Sequence, residues 1–210
     1  MKYRCEATSA VGFLQQLATQ YLRHGYWFYV PGRIPPGKEP AAVDRKLVLK
    51  YGIDCSQKQR CLRKRRGEAN VQYIRYERFF LLLATHGQHL FFEKEAGQIF
   101  DARHTPIKFA GHSVSHRNGR VCVRIAQEQY REIKAKFLKL ASRPDGDGLA
   151  DQFALLPYIP YAPVRQQMMC IWRGVNRVRR TANLERLPRE CVPWRRKIVK
   201  PFQDHPCQVK

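Results

Sequence analysis

Residues 70–140 read NVQYIRYERFFLLLATHGQHLFFEKEAGQIFDARHTPIKFAGHSVSHRNGRVCVRIAQEQYREIKAKFLKL and decide the fold. Most of this stretch is made of apolar, aromatic and β-branched runs, the composition of strands. Asn118-Gly119 is typical of a two-residue hairpin turn. The pattern predicts strands over 71–76, 78–85, 89–92, 107–115 and 120–125, and an amphipathic helix over 127–142. The run Arg78–Thr85 is apolar throughout, which indicates a strand buried on both faces.

The flanking segments add helices on both sides of this centre. Apolar side chains recur every three or four residues, and this spacing predicts helices over 8–24, 41–51, 149–156 and 164–182. The aromatic run Tyr26–Val30 predicts one more strand, which Pro31-Gly32 would end. We therefore expect an α+β fold with a central, mostly antiparallel sheet covered by helices and a basic helical C-terminal extension. The ferredoxin-like arrangement is the candidate order for that sheet.

Composition breaks suggest three segments. Residues 1–142 would form the α+β core domain, with a basic insertion at 53–69. The Gly- and Pro-rich stretch SRPDGDG at 142–148 predicts a hinge, so that 143–186 would be the hinge and the basic amphipathic extension. Residues 187–210 would form a basic, proline-containing tail.

The charge of the chain indicates its partner. Lys and Arg number 39 against 17 Asp and Glu, which gives a formal net charge of +22. Such an excess repels itself unless a polyanion neutralises it, and each phosphate contact with nucleic acid releases condensed counterions. Arginine is abundant and can both bind phosphate with two hydrogen bonds and stack on bases. We expect a nucleic-acid partner, RNA rather than DNA, with an anionic membrane surface as the competing partner.

Three basic patches are the predicted contacts. They lie at 58–66, on one face of the helix 164–182, and in the Pro- and Arg-rich tail, where Trp194 could stack on a base or dock on a partner. The predicted binding residues are Lys58, Arg60, Arg63, Lys64, Arg65, Arg66, Arg173, Arg177, Arg179, Arg180, Trp194, Arg195, Arg196 and Lys197. Trp172, in contrast, lies on an apolar helical stripe and is expected in the core.

These patches predict a non-enzymatic RNA-binding component of a ribonucleoprotein or mobile-element complex, in which a protein partner would also take part. One alternative is a metal-dependent nuclease or strand-transfer enzyme that uses histidines of 86–116 with Tyr130. His112 and His116 would share one strand face, and Tyr130 begins the next helix, so these three are the catalytic candidates. The chain lacks the two histidines around one bulky apolar residue that HUH-type nucleases use. A DNA-binding regulator is the third hypothesis.

Features that the sequence lacks set the expectations for metals, cofactors, membrane spans and cellular location. No close cysteine pair or Gly-rich phosphate loop is present, so neither a metal nor a cofactor is expected. No run of about 18 apolar residues occurs, so no membrane span is expected. With seven scattered cysteines and no secretory pattern, a cytoplasmic or nucleoid-associated protein is expected.

Overall fold

A computed structural model describes residues 3–195 and 198–202. It has the predicted α+β fold, with seven α-helices and seven strands among these residues. The helices are α1 (Ala10–Gln16), α2 (Pro40–Lys50), α3 (Gln57–Arg65), α4 (Leu90–Lys94), α5 (Gln127–Leu140), α6 (Gly146–Ala154) and α7 (Ala162–Thr181). The strands are β1 (Phe28–Arg33), β2 (Val71–Tyr76), β3 (Phe79–Ala84), β4 (Phe100–Asp101), β5 (Ile107–Phe109), β6 (His112–Arg117) and β7 (Arg120–Ile125).

The larger sheet has the ferredoxin-like order. Its four strands run β4–β1–β3–β2, and every neighbouring pair is antiparallel. Along the chain, α2 and α3 lie between β1 and β2, and α4 lies between β3 and β4. This is the β-α-β-β-α-β connection, in which β3 lies between β1 and β2, and β1 lies between β3 and β4. The antiparallel, ferredoxin-like prediction is confirmed.

Helices cover both faces of this sheet. On one face Val30, Tyr73 and Leu82 form a buried cluster with Tyr51, which follows α2, and Phe91 of α4. On the other face α1 packs against β2, and the ring of Phe13 lies 5.8 Å from that of Phe79. β3 is buried from Leu81 to Ala84, as its apolar run predicts.

The first strand is longer than its sequence suggests. Pro31 and Gly32 were expected to end it, but β1 continues through both to Arg33. β4 pairs only with Phe28 and Tyr29, so one side of β1 beyond Tyr29 has no partner in this sheet, and proline is tolerated at such an edge. Gly32 lies against the ring of Phe80, with which an added Cβ would collide unless that ring moved.

Two other strand predictions need correction. Residues 89–92 are not a strand, because His89 caps α4 and its ring nitrogen Nδ1 accepts a hydrogen bond of 3.0 Å from the backbone N–H of Phe91. The predicted strand 107–115 is divided into β5 and β6 at Ala110 and Gly111, both of which have positive φ. The hairpin at Asn118-Gly119 between β6 and β7 is confirmed, with φ of 50° and 73°.

Contacts divide the described chain into two compact units. Residues 3–107, 115–121 and 198–202 form the first unit, and residues 108–114 and 122–195 form the second. In the second unit α5, α6 and α7 surround an apolar cluster that includes Phe137, Phe153 and Ile171. The domain division predicted from composition stays a prediction, with segments at 1–142, 143–186 and 187–210. Among the described residues no helix is long and apolar enough to cross a membrane.

Candidate nucleic-acid interface

The basic cluster at 58–66 lies on a short, solvated helix. Ser56 and Gln59 form a capping box that begins α3, and no residue of the helix is buried. Its last turn carries Arg63, Lys64 and Arg65, which the negative end of the helix dipole favours. The cations of this segment that are exposed are Lys58, Lys64, Arg65 and Arg66.

Two arginines of the cluster attach the helix to the rest of the first unit. The guanidinium of Arg63 donates to the carbonyl of Gly52 over 3.1 Å and approaches the sulfur of Cys55 at 3.7 Å. The backbone carbonyl of Arg60 accepts a 3.0 Å bond from the side chain of Asn70. Both side chains are half-buried, but only that of Arg63 is seen to anchor the helix, because Arg60 contributes its backbone carbonyl and its buried Nε has no hydrogen-bond partner among the described residues. The other four cations are on the surface.

The second basic face is a stripe on α7. The helix buries Val164, Met168, Ile171 and Val175 on one side. On the opposite side Arg173, Arg177 and Arg180 are all exposed, at steps of four and three residues. Such steps put side chains on one helical face with about 5–6 Å between successive Cβ atoms. We call these three residues the arginine stripe.

Arg179 was predicted to contact nucleic acid, but the residue is only 1% exposed. Its guanidinium donates to the carbonyls of Arg143 at 2.9 Å and of Ala141 and Pro144 at 3.4 Å, and its Nε donates to that of Glu185. A phosphate would have to displace these carbonyls. Arg179 lies four residues after Val175, on the apolar side of α7, and this spacing was the signal for a buried position.

The tail has an exposed aromatic side chain. Trp194 is 41% exposed, and the guanidinium of Arg189 lies 4.7 Å above its ring. Its carbonyl accepts a 3.0 Å bond from Arg165, which attaches this part of the tail to α7. Arg195 is exposed, whereas Arg196 and Lys197 lie outside the described residues. Trp172 packs against the core of the second unit, as expected.

His112 has a structural role that leaves no nitrogen for catalysis. It is 2% exposed, and its Nδ1 lies 2.9 Å from the carbonyl oxygen of Ala110. Its Nε2 accepts a bond of 3.3 Å from the backbone N–H of Ile159. This pairing requires the proton on Nδ1, and burial lowers the pKa of His112, which favours the neutral ring. Both ring nitrogens of His112 are therefore already occupied, and neither is available for the catalytic role predicted for it.

Tyr130 does not have the environment of a nucleophile. Its side chain packs against the apolar cluster of the second unit. Burial raises the pKa of Tyr130, the opposite of what activation of a phenolic hydroxyl requires. Within residues 3–195 and 198–202, no three His, Cys, Asp or Glu side chains are grouped so that they could hold a metal ion.

An aromatic and cationic surface in the first unit was missed by sequence reasoning. Arg103 lies with its guanidinium 4.5 Å from the ring of Trp27 and 5.6 Å from that of Phe28. The ring of His116 is 5.2 Å from that of Trp27, and the ring of His86 is 6.5 Å from that of Phe28. These residues come from four separate parts of the chain, so no local pattern joins them. The only sequence signal was the aromatic run at 26–30.

Comparison with known proteins assigns no family. The sequence matches no known family model and no curated protein. The ferredoxin-like order supports many unrelated functions, so the fold alone assigns none. The features that distinguish this chain are its charge of +22 and the exposed cations of α3 and α7.

Proposed function

We propose that this protein binds nucleic acid through phosphate contacts made by the exposed cations of α3 and by the arginine stripe of α7. The stripe is the observation that carries the proposal. Arg173, Arg177 and Arg180 lie on one side of a helix whose other side is buried in the core of its unit. A row of arginines on one face of a helix is suited to successive phosphates, since each guanidinium group can form two parallel hydrogen bonds with phosphate oxygens.

An anionic membrane surface is a poorer partner for α7. A helix that lies on a lipid surface inserts an apolar face between the headgroups while its cations contact the lipid phosphates. The apolar residues of α7, such as Met168 and Ile171, are instead buried inside the protein. α3 likewise exposes only one large apolar side chain, that of Leu62. Electrostatic contact without insertion is the mode of binding expected with nucleic acid.

The sheet of this fold is not the proposed binding surface. RNA-recognition domains stack bases on aromatic side chains of an open four-stranded sheet. Here Tyr73 and Tyr29, which point to opposite faces of the sheet, are both buried beneath other side chains. We therefore propose α3 and the arginine stripe of α7 as the surfaces for phosphate contact. Trp194 and Arg195 are the contacts that we propose for the tail.

RNA is the favoured partner because arginine-rich segments commonly recognise structured RNA. We propose that the protein is a component of a ribonucleoprotein or mobile-element complex in the cytoplasm or on the nucleoid. The geometry of His112 and Tyr130 favours no catalytic role, so no reaction is proposed.

The experiment compares two sets of charge-removing substitutions. In the first variant Arg173, Arg177 and Arg180 are each changed to Gln. In the matched control Lys134, Lys136 and Lys139 of α5 are changed to Gln, which removes the same charge from another exposed helix of the same unit. Affinity for a structured RNA is measured at about 0.1 M salt, where the loss of three phosphate contacts is expected to weaken binding by roughly 10²-fold.

The control variant is expected to lose much less affinity, because α5 also exposes Glu128 and Glu132 beside its lysines. Equal losses in the two variants would show that net charge, and not the arginine stripe, determines binding. The same measurement with duplex DNA of equal length tests the preference for RNA.

A further inference from the structure

Five planar side chains of the first unit are connected by a series of contacts, in which the two imidazole rings are tilted by 46° and 37° to their aromatic neighbours. In order they are His86, Phe28, Arg103, Trp27 and His116, and we call this set the aromatic stack. Successive members are separated by 6.5, 5.6, 4.5 and 5.2 Å between ring centroids or from the guanidinium carbon to a ring centroid.

Hydrogen bonds hold the row in place. Asp101 binds Arg103 through three contacts of 2.6–3.0 Å to the guanidinium and one of 2.8 Å to its backbone N–H. The indole Nε1 of Trp27 donates to the carbonyl of Leu22 over 3.1 Å. The backbone N–H of His116 donates to the carbonyl of Ala102 over 3.0 Å. The side chains of Arg103 and Trp27, at the centre of the row, are therefore oriented before any ligand arrives, which reduces the entropy lost on binding.

The row is accessible to a ligand. Arg103 and His86 are exposed, and Trp27, Phe28 and His116 are half-buried. The guanidinium of Arg103 lies near both the Trp27 and the Phe28 ring, while its side chain keeps 39% exposure to solvent. Arginine presented in this way can stack on a nucleobase as well as attract phosphate.

We propose that the aromatic stack binds unpaired bases of a single-stranded segment of nucleic acid. This inference rests on the proposed function, because the charge of +22 is what brings a polyanion to the surface. Aromatic rings and arginine planes are the groups on which proteins stack splayed-out bases, and every base has a π-face. Bases in a duplex are already stacked on one another and would not be bound by the aromatic stack. The stack thus gives the protein a preference for nucleic acid with unpaired regions.

The test uses a substitution that keeps charge and removes the plane. Arg103→Lys retains a cation beside Asp101 but has no guanidinium to stack. Arg23→Lys, at an exposed arginine, is the matched control. The probes are oligo-U and oligo-dT of about twelve nucleotides, an abasic strand of the same length and charge, and a fully paired duplex.

Arg103→Lys is expected to weaken binding of oligo-U and oligo-dT by about tenfold, the loss of one stacked base. Binding of the abasic strand and of the duplex should be unchanged, and Arg23→Lys should change none of the four affinities. If the unsubstituted protein binds the abasic strand as tightly as oligo-U, the aromatic stack is only a structural cluster, although the proposed function stands. If no probe binds even at low salt, the proposed function itself fails.

Fluorescence supplies a second readout that does not depend on affinity. Of the tryptophans Trp27, Trp172 and Trp194, only Trp27 belongs to the aromatic stack. Oligo-U should quench the fluorescence more than the abasic strand does, and Trp27→Phe should abolish that difference. Persistence of the difference in Trp27→Phe would assign base contact to another tryptophan and overturn the proposal.

Discussion

Arg179 and Arg180 are adjacent in the sequence and have opposite structural roles. Arg179 is buried and binds the carbonyls of residues 141, 143, 144 and 185. These bonds connect α7 to the segment between α5 and α6, where a hinge was predicted. Arg180 is exposed on the arginine stripe. Composition treats the two residues alike, whereas helical geometry separates them, because they project about 100° apart around the axis.

Substitution of each of these two arginines should separate effects on stability from effects on binding. Arg179→Ala removes a buried cation from four carbonyl acceptors, and we expect it to lower the free energy of unfolding by about 3 kcal/mol. Arg180→Ala, at a surface position, should change that free energy by less than about 0.5 kcal/mol. Urea denaturation measures both values. A stable Arg179→Ala protein with weakened RNA binding would contradict the assignment and restore Arg179 as a contact.

Single residues also show which features could be predicted from the sequence and which could not. The strand at 71–76 and the Asn118-Gly119 turn follow local sequence preferences, and both were predicted correctly. His89 was taken as part of a strand because its aromatic neighbours resemble one, yet its side chain caps α4. Arg103 joins Trp27 only through tertiary structure, so no reading of neighbouring residues could have paired them.

At the scale of elements, α3 and α7 each carry a reporter for binding. Cys61 of α3 and Cys170 of α7 are both exposed, and Cys170 precedes Arg173 by about one turn. In contrast, burial raises the pKa of Cys5 to about 12 and that of Cys191 to about 11. The thiolate is the reactive form of cysteine, so Cys5 and Cys191 should be nearly inert at neutral pH.

Thiol labelling should therefore map the interface without any mutation. We expect a maleimide to modify Cys61 and Cys170 rapidly, and saturating RNA to slow both reactions several-fold. Mass spectrometry of the labelled peptides gives the rates, and the inert Cys5 and Cys191 report that the fold is intact. Protection of Cys61 alone would limit the interface to α3. Unchanged rates at both cysteines would exclude both helices from it.

Of these two helices, α7 was the better predicted from the sequence. The arginines of α7 recur at helical spacing opposite an apolar stripe, so the helix and its exposed face could both be predicted, apart from Arg179. For α3 the sequence showed the density of charge, but it did not show how the helix is attached to the rest of the first unit. The bond from Arg63 to the carbonyl of Gly52 depends on the turn after α2, which composition does not describe.

At the scale of the whole molecule, helices on both faces of the larger sheet leave its strands as a scaffold. Exposed cations are spread over both units and include those of α3 and the arginine stripe. A net charge of +22 on a chain of 210 residues disfavours the compact state through self-repulsion. A bound polyanion would relieve that repulsion as well as contact the arginine stripe. The proposed function thus accounts for a charge that the fold by itself does not need.

The most direct test of nucleic-acid binding is the dependence of RNA affinity on salt concentration for the unsubstituted protein. If the exposed cations of α3 and the arginine stripe all contact phosphates, a plot of log affinity against log salt should fall with a slope of about −5 for a single-stranded RNA. A slope near zero, or no measurable binding at low salt, would contradict the account.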